Sequence, residues 1–227
     1  MIGISSLKSD YEGGASFILE ALKKRNESLI DSIQSYKKGM YLYNEDAYPK
    51  GVFYILEGNV KLVRSADTGK ERIVRLAGRN DIIGYRALLI GSSYKTSARA
   101  LEKTEIVFLS SKLFHELICC PGINDQLIKL LANDMELSEL KWINMSTRSL
   151  KSRIAELLIS FKNKYGLLED GKTLNIVLDR EEFAEIVGVS VEAIIRRFNE
   201  LKNEGIIETY GRNIQLLNIP ALKLIVK

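Results

Sequence analysis

The 227-residue sequence is poor in the residues that build disulfides and metal sites, with two cysteines and one histidine. The cysteines, Cys119 and Cys120, are adjacent, and neighbours rarely meet the separation and approach that a disulfide requires. The lack of a cysteine framework fits a reducing compartment. His115 and two cysteines do not suffice for a His/Cys metal site, which needs three or four ligands. We therefore predict no disulfide scaffold and no metal, and interpret His115 as structural.

Long apolar runs are also missing, since no uncharged stretch approaches the roughly 20 residues of a membrane helix. The N-terminus lacks the basic start and sustained apolar stretch of a signal peptide. We therefore expect a soluble, cytoplasmic protein with no membrane partner. With 46% apolar and 27% charged residues, the composition excludes a disordered chain. The net charge of +4 permits an anionic partner without requiring one.

Catalytic signatures are missing as well. No nucleophile paired with a base stands out, and Gly13, Gly14 and Gly84 do not approach the Gly-x-Gly-x-x-Gly pattern of a dinucleotide-binding loop. The sequence therefore predicts a protein that is not an enzyme.

The N-terminal half changes character near Tyr36. Before that point, apolar residues at helical spacing predict a helix over residues 17–36. From Tyr36 to Ser110, short runs rich in β-branched and aromatic residues alternate with glycines and Asn/Asp, which indicates an antiparallel sandwich or barrel. The clearest predicted strands cover residues 52–58, 59–65, 71–77 and 105–110, with a hairpin tip at residues 67–70.

From residue 123 the pattern becomes helical, with apolar residues at spacings of three and four. This seam runs for nearly three heptads and predicts a dimerisation helix over residues 123–147. An ordinary core helix also needs an apolar stripe and remains the alternative. The other faces are strongly polar, so the simplest partner is the same helix of a second copy. The seam residues are Ile128, Leu131, Met135, Ser138, Trp142 and Met145.

Residues 148–227 combine helical and hairpin patterns. An amphipathic helix from Leu150 to Phe161 precedes a short predicted strand at residues 174–178. Residues 179–207 then indicate two helices, with Asp179 and Ser190 as N-caps and Gly188 at the turn between them. Two short capped helices around a glycine turn are the signature of a helix-turn-helix. At 100° per residue, the buried stripe of the second helix consists of Ile194, Phe198 and Leu201.

The opposite face of that second helix carries side chains suited to base edges. Arginine pairs with guanine, glutamate accepts from the cytosine amino group, asparagine reads adenine, and apolar groups contact the thymine methyl. In a helix-turn-helix the N-terminal part of the second helix reaches the bases. Arginines and lysines around it, together with Arg212 at the tip of a predicted hairpin at residues 210–213, suit phosphate contacts. The candidate DNA-binding residues are Arg180, Ser190, Val191, Glu192, Ile195, Arg196, Asn199 and Arg212, with Arg197 and Lys202 as further phosphate candidates.

A helix pair with a merely solvated outer face is the alternative interpretation. The chain, however, resembles the CRP/FNR superfamily of bacterial transcription regulators from about Tyr36 onward. YKKGMYLYNEDAYPKGVFYILEGNVKL is similar to the opening of that family's sensor domain, and IVGVSVEAIIRRFNELKNEGII to its recognition-helix motif. Glu192 and Arg196 fall on two of the family's base-reading positions.

The resemblance implies an α+β architecture in three parts. These are a cyclic-nucleotide-binding-like antiparallel β-roll sensor domain over residues 1–122, similar to a jelly roll, a long dimerisation helix over 123–147, and a winged helix-turn-helix over 148–227. It also implies a homodimeric regulator that binds a palindromic operator in double-stranded DNA, with RNA polymerase as a further partner of an activator. A ligand- or protein-binding sensor module without sequence-specific DNA binding is the alternative function.

The sequence departs from the family at the residues that bind the effector in cyclic-AMP-binding members. Cyclic-AMP-binding members carry a glutamate after the glycine of a Phe-Gly-Glu-like turn and an arginine about ten residues later. Here Tyr85 stands at the glutamate's place, and Tyr94 or Lys95 at the arginine's, which weighs against cyclic AMP and favours a different effector. Residues 1–36 contain no cysteine for an Fe–S cluster, and the position of His115 does not suit a haem ligand.

Basic residues near the family's ligand cavity offer a candidate site for another anion. Solvated surface charges are the alternative interpretation. The candidate effector-pocket residues are Arg75, Tyr85, Arg86, Lys95, Arg99, Ser138 and Glu139.

Overall fold

The computed structural model describes residues 15–24, 33–65, 69 and 71–226. The chain divides into two compact units, one ending at Glu136 and the other beginning at Leu137. Helix α4 (Ile123–Thr147) contains this division, so the units separate within the predicted dimerisation helix rather than at either of its ends. Among the described residues, no helix is both long enough and apolar enough to cross a membrane.

The described part of the first unit is a β-roll with short helices. Its strands are β1 (Ile33–Tyr36), β2 (Tyr41–Tyr43), β3 (Gly51–Glu57), β4 (Val60–Ser65), β5 (Glu71–Ala77), β6 (Ile82–Ile83), β7 (Ser97–Ala100) and β8 (Thr104–Ser110). They form two four-stranded antiparallel sheets, with strand orders β1-β8-β3-β6 and β2-β7-β4-β5. The helices are α1 (Ser16–Lys24), α2 (Tyr85–Ile90) and α3 (Ser111–Ile118).

Strand β3 is buried on both faces, which explains its unbroken apolar sequence. Successive side chains of a strand point to opposite faces. Val52 and Tyr54 pack in one cluster with residues of α1, α3 and the first half of α4, whereas Phe53 and Ile55 pack against the second sheet. Gly51 is the first residue of this strand. A Cβ atom at this position would lie 2.1 Å from the carbonyl oxygen of Leu109, so no larger residue fits without a backbone shift.

The predicted N-terminal helix is too long. Its buried residues Ile18 and Leu22 lie in α1, but α1 ends at Lys24, and residues 25–32 lie outside the described part. The last four predicted residues form β1 instead, with Ile33 opposite Val107 of β8. Pairing with a strand some seventy positions away overrides the local apolar spacing. Residues 67, 68 and 70 of the predicted hairpin tip also lie outside the described residues, although the flanking Ser65 and Glu71 are paired.

The second unit contains the C-terminal helices and a hairpin. Its elements after α4 are α5 (Leu150–Tyr165), α6 (Arg180–Val187), α7 (Val191–Asn203), β9 (Ile207–Tyr210), β10 (Asn213–Leu216) and α8 (Ile219–Val226). Helix α8, which the sequence analysis missed, packs against α5. Its signal was Asn218, whose Oδ1 accepts from the N–H of Ala221 at 3.0 Å, with Pro220 in the first turn.

The predicted strand at residues 174–178 is wrong. Only isolated bridges form here, from Thr173 to Gln215 and from Leu174 to Leu167. Leu174, Ile176 and Leu178 are buried at every second position. Their alternation therefore reflects an extended segment that inserts side chains into the core without a hydrogen-bonded ladder.

Candidate functional site

Helix α6, the turn after it and the start of α7 are held by groups that their own sequence supplies. Asp179 Oδ1 accepts from the N–H of Glu182 at 2.9 Å, and Glu182 Oε2 accepts from the N–H of Asp179 at 3.0 Å, which makes a capping box. Gly188 ends α6 with a φ of +78°, a conformation that glycine adopts without strain. Ser190 Oγ then accepts from the N–H of Ala193 at 3.3 Å and caps α7.

One face of α7 is anchored in an aromatic core. Ile194, Phe198 and Leu201 are buried, as the helical spacing predicts. The ring of Phe198 lies 5.1 Å from that of Phe183, centre to centre, and Phe183 lies 5.9 Å from Phe161 of α5. Because this stripe is buried, the orientation of α7 in its domain is fixed and the opposite face points outward.

The outward face of α7 carries the predicted base-reading side chains. Its exposed residues are Ser190, Glu192, Ile195, Arg196 and Asn199, whereas Val191 is half-buried. From Glu192 to Asn199 the face extends about 10 Å at 1.5 Å per residue, which is the length of about three base-pair steps. Within the described part of the chain, no carboxylate pairs with Arg196, so its guanidinium can donate to an external acceptor.

Arg180 is engaged inside the domain. Its guanidinium carbon lies 4.7 Å from the centre of the Phe198 ring. Its Nη2 donates to the carbonyl oxygen of Gly211 at 3.4 Å. Burial lowers the pKa of Arg180, and the charge of Asp179 partly opposes this shift. Arg180 therefore connects the start of α6 with α7 and with the loop of the C-terminal hairpin.

The two further phosphate candidates on α7 also have partners in the domain. Arg197 forms an ion pair with Glu200 one turn later on the helix. Lys202 Nζ lies 2.9 Å from Oε1 of Glu208 in β9. Both cations are thus partly neutralised by the chain itself.

Strands β9 and β10 form the predicted wing. Tyr210 and Asn213 are opposite each other, so the loop consists of Gly211 and Arg212. Gly211 has a φ of +60°, which suits the first position of a tight hairpin turn. Arg212 is exposed at the tip and, within the described residues, has no carboxylate partner. The structure thus presents Arg196 and Arg212 as exposed cations of the same compact unit.

In the first unit, three donors surround the carboxylate of Asp134. Arg75 Nη1 of β5 lies 2.9 Å from Asp134 Oδ2, and Tyr85 of α2 donates its hydroxyl to the same oxygen at 2.6 Å. Arg86 Nη2 lies 3.8 Å from that oxygen. We call Arg75, Tyr85 and Arg86 the anion site. The structure therefore brings three of the predicted effector-pocket residues together, around a carboxylate of the same chain.

Arg75 and Tyr85 are both in the protonated form that can donate hydrogen bonds to Asp134. Burial lowers the pKa of Arg75, but the interactions with Asp134, Asp81 and Tyr85 together outweigh that effect, and the pKa ends above its usual value. Burial, and then the charge of Asp134, raise the pKa of Tyr85. The phenol is therefore protonated at neutral pH and able to donate.

Two further predicted effector residues, Lys95 and Arg99, have other partners in the first unit. Lys95 is exposed and donates to Ser93 Oγ at 3.2 Å. Arg99 donates from Nε to the carbonyl oxygen of Gly39 at 3.2 Å, on the opposite face of β7 from Ala98. Residues that are directly paired across strands share a sheet face, and Arg75 is paired through Leu62 with Ala98. Arg99 is the next residue along β7 and therefore lies on the other face, away from the anion site. Ser138 and Glu139 are exposed and belong to the second unit.

Two family models match this chain, a cyclic nucleotide-binding domain over residues 33–118 and a Crp-like helix-turn-helix domain over residues 152–225. The chain belongs to the CRP/FNR family of transcription regulators. It is a DNA-binding regulator, and its β-roll, long helix and C-terminal helix-turn-helix domain have the architecture that the sequence predicts.

Several known proteins are similar to this chain in sequence or in fold. The anaerobic regulatory protein of Bacillus subtilis is 25% identical over 185 residues, which cover 79% of this chain and 78% of that protein. The cAMP-activated global transcriptional regulator CRP of Salmonella typhimurium is 26% identical over 184 residues, or 80% and 88% of the two chains. The structure of FixK2 from Bradyrhizobium japonicum has the same fold, with a TM-score of 0.77, 19% identity and coverage of 86% of this chain and 96% of that one.

The seam on α4 is largely uncovered in this CRP/FNR chain. Trp142 is 77% exposed, Met135 65%, Ile128 56% and Met145 50%. Leu131 differs, because it is half-buried against the core of the β-roll together with the buried Leu127 and Leu130. The first half of α4 therefore packs on its own domain through one stripe and leaves an apolar stripe exposed.

Asp134 is the residue that sequence reasoning missed. Its partners Arg75 and Tyr85 lie 59 and 49 positions earlier in the chain. No local motif relates a carboxylate on a long helix to an arginine on a strand so far away. The one available signal was the unusual concentration of basic residues predicted near the cavity, which calls for a negative partner.

Proposed function

We propose that this regulator works as a homodimer that inserts α7 of each copy into consecutive major grooves of a palindromic operator. The outward face of α7, held by the buried Phe198 stripe, is the observation that carries the proposal. Two-fold symmetry of the protein then requires half-sites about one helical turn, or ~34 Å, apart. At promoters where the regulator activates transcription, RNA polymerase is an additional partner.

The exposed stripe of α4 supports the homodimer. Large apolar side chains that line one face of an exposed helix are typical of an interaction surface. Spacings of three and four between Ile128, Met135, Trp142 and their neighbours match a coiled-coil seam, in which an identical helix supplies a complementary surface. Most other exposed side chains of α4 are polar, although Leu137 and Ile143 are exposed off the seam.

The test is selection of DNA from a random-sequence pool by the full-length protein. We expect enrichment of a palindrome whose half-sites are one helical turn apart. Enrichment of an asymmetric site would contradict the dimer arrangement, and absence of any enriched sequence would favour a sensor module without sequence-specific binding.

Replacing Arg196 with alanine is expected to weaken binding to the selected operator by about 1–3 kcal/mol and to leave binding to random DNA nearly unchanged. The reason is that an exposed arginine on the groove-facing side of α7 discriminates between bases. Fluorescence anisotropy titrations on both duplexes measure the two affinities. Equal losses on both duplexes would remove Arg196 from base recognition.

Arg212→Ala is the matched control, since it removes the same charge from the wing. A phosphate contact carries no sequence information. We therefore expect Arg212→Ala to weaken binding to both duplexes alike and to reduce the slope of log affinity against log salt by about 1.

A further inference from the structure

We propose that the anion site of Arg75, Tyr85 and Arg86 is filled by the chain's own Asp134 carboxylate, and that the β-roll therefore needs no bound cyclic nucleotide. Asp134 is thus a tethered substitute for the anionic group of a ligand. The conclusion that operator binding is independent of cyclic nucleotide rests on the proposed function; the internal occupancy of the anion site does not.

The donors around Asp134 are those that recognise a small oxyanion. The Arg75 guanidinium and the Tyr85 hydroxyl donate hydrogen bonds to a single oxygen, and the Arg86 guanidinium lies 3.8 Å from it as an ion pair. Contacts of this kind are the usual means of holding a carboxylate or phosphate. The side chains of Arg75 and Asp134 are only 19% and 12% exposed. A buried guanidinium left without its partner is strongly destabilising. Arg75 therefore requires an anion at this position, and Asp134 provides it.

A second acid, Asp81, also adds negative charge near Arg75. Its Oδ2, however, accepts from the backbone N–H of Gly78 at 2.7 Å. Asp134 is the carboxylate that hydrogen-bonds to both Arg75 and Tyr85.

Two aromatic rings pack together within the β-roll, on the sheet face that carries Arg75 and next to Gly84. Tyr43 is in the same row of the second sheet as Ala98, Leu62 and Arg75. Its ring stacks on that of Tyr94 with 3.8 Å between ring centres. At Gly84, directly before Tyr85, a Cβ atom would lie 3.3 Å from the Tyr94 ring. The anionic part of a nucleotide bound at the anion site would therefore have to displace Asp134.

The contact also connects three elements of the first unit. Arg75 belongs to β5, Tyr85 begins α2, and Asp134 lies on α4 next to the seam residue Met135. The tethered carboxylate thus fixes α4 to the β-roll beside Met135, which is near the middle of the seam.

The test is anion rescue of full-length Asp134→Ala, followed by thermal melting. Loss of the carboxylate is expected to lower the melting temperature of the β-roll by roughly 5–10 °C. Formate or inorganic phosphate at about 100 mM is expected to restore roughly 3 °C of that loss, relative to chloride at the same ionic strength, because the vacated site binds the added anion. The wild-type protein should show no such difference between the anions, and no stabilisation by cyclic AMP.

Two variants complete the experiment. Glu136→Ala removes an exposed acid from the same helix, and we expect wild-type melting and no anion response. Asp134→Asn keeps the side-chain shape without the charge, and should melt below the wild-type protein even if Asp134→Ala does not fold. An equal response of the wild-type protein to formate, stabilisation of it by cyclic AMP, or wild-type melting of Asp134→Asn would overturn the proposal. Melting requires no DNA, so this readout is unaffected if the proposed function fails.

Discussion

The double variant Met135→Glu/Trp142→Glu is expected to be monomeric at micromolar concentration and to bind the selected operator at least ~100-fold more weakly than the wild-type protein. Both side chains lie on the exposed seam of α4, with 65% and 77% of their surface accessible. Glutamates at these positions would place like charges against each other in a helix pair. Two linked DNA-binding domains gain a factor of about 10²–10⁴ in affinity over one, and a monomer forfeits this gain.

Sedimentation velocity gives the oligomeric state, and anisotropy titration gives the affinity. Leu137→Glu/Ile143→Glu is the matched control, because both residues are exposed apolar positions of α4 that lie off the seam at 100° per residue. We expect this control to remain dimeric and to bind the operator normally. A Met135→Glu/Trp142→Glu protein that still sediments as a dimer would show that the subunits associate through another surface.

Phe198→Ala is expected to reduce the stability of the second unit by about 3–5 kcal/mol. The ring of Phe198 is 2% exposed, packs 5.1 Å from Phe183 and carries the guanidinium of Arg180 on its face. Its removal leaves a cavity and exposes the underside of α7. Urea unfolding followed by far-UV circular dichroism measures the effect, with specific DNA binding lost in parallel.

The neighbouring residue separates stability from recognition. Asn199 lies next to Phe198 but on the outward face of α7, and Asn199→Ala is expected to change stability by less than about 0.5 kcal/mol while weakening operator binding. Phe198→Leu, which preserves most of the volume, should cost less than about 1.5 kcal/mol. If Phe198→Ala and Asn199→Ala were equally stable, the assignment of the two faces of α7 would be wrong.

The position of Arg180 shows how tertiary structure revises an electrostatic prediction. Its place at the start of α6 predicts a phosphate contact. In the structure the guanidinium instead lies over the Phe198 ring and donates to the carbonyl oxygen of Gly211. A side chain of this length has many possible partners, and only the fold decides among them. Of the predicted DNA-contacting cations, Arg196 and Arg212 are the two that are exposed and have no carboxylate partner among the described residues, and the DNA-binding predictions depend mainly on these two.

What the amino-acid sequence determined by itself is the set of features that depend on a few neighbouring residues. The caps at Asp179 and Ser190, the glycine turn at Gly188 and the buried stripe of α7 follow from local hydrogen bonding and helical periodicity, and the sequence was sufficient to locate them. Tertiary structure alone decided that Ile33–Tyr36 pairs as a strand, that residues 174–178 have no ladder, and that Asp134 meets Arg75 and Tyr85. Most of these outcomes depend on contacts between residues some forty or more positions apart, whose energies no local pattern encodes.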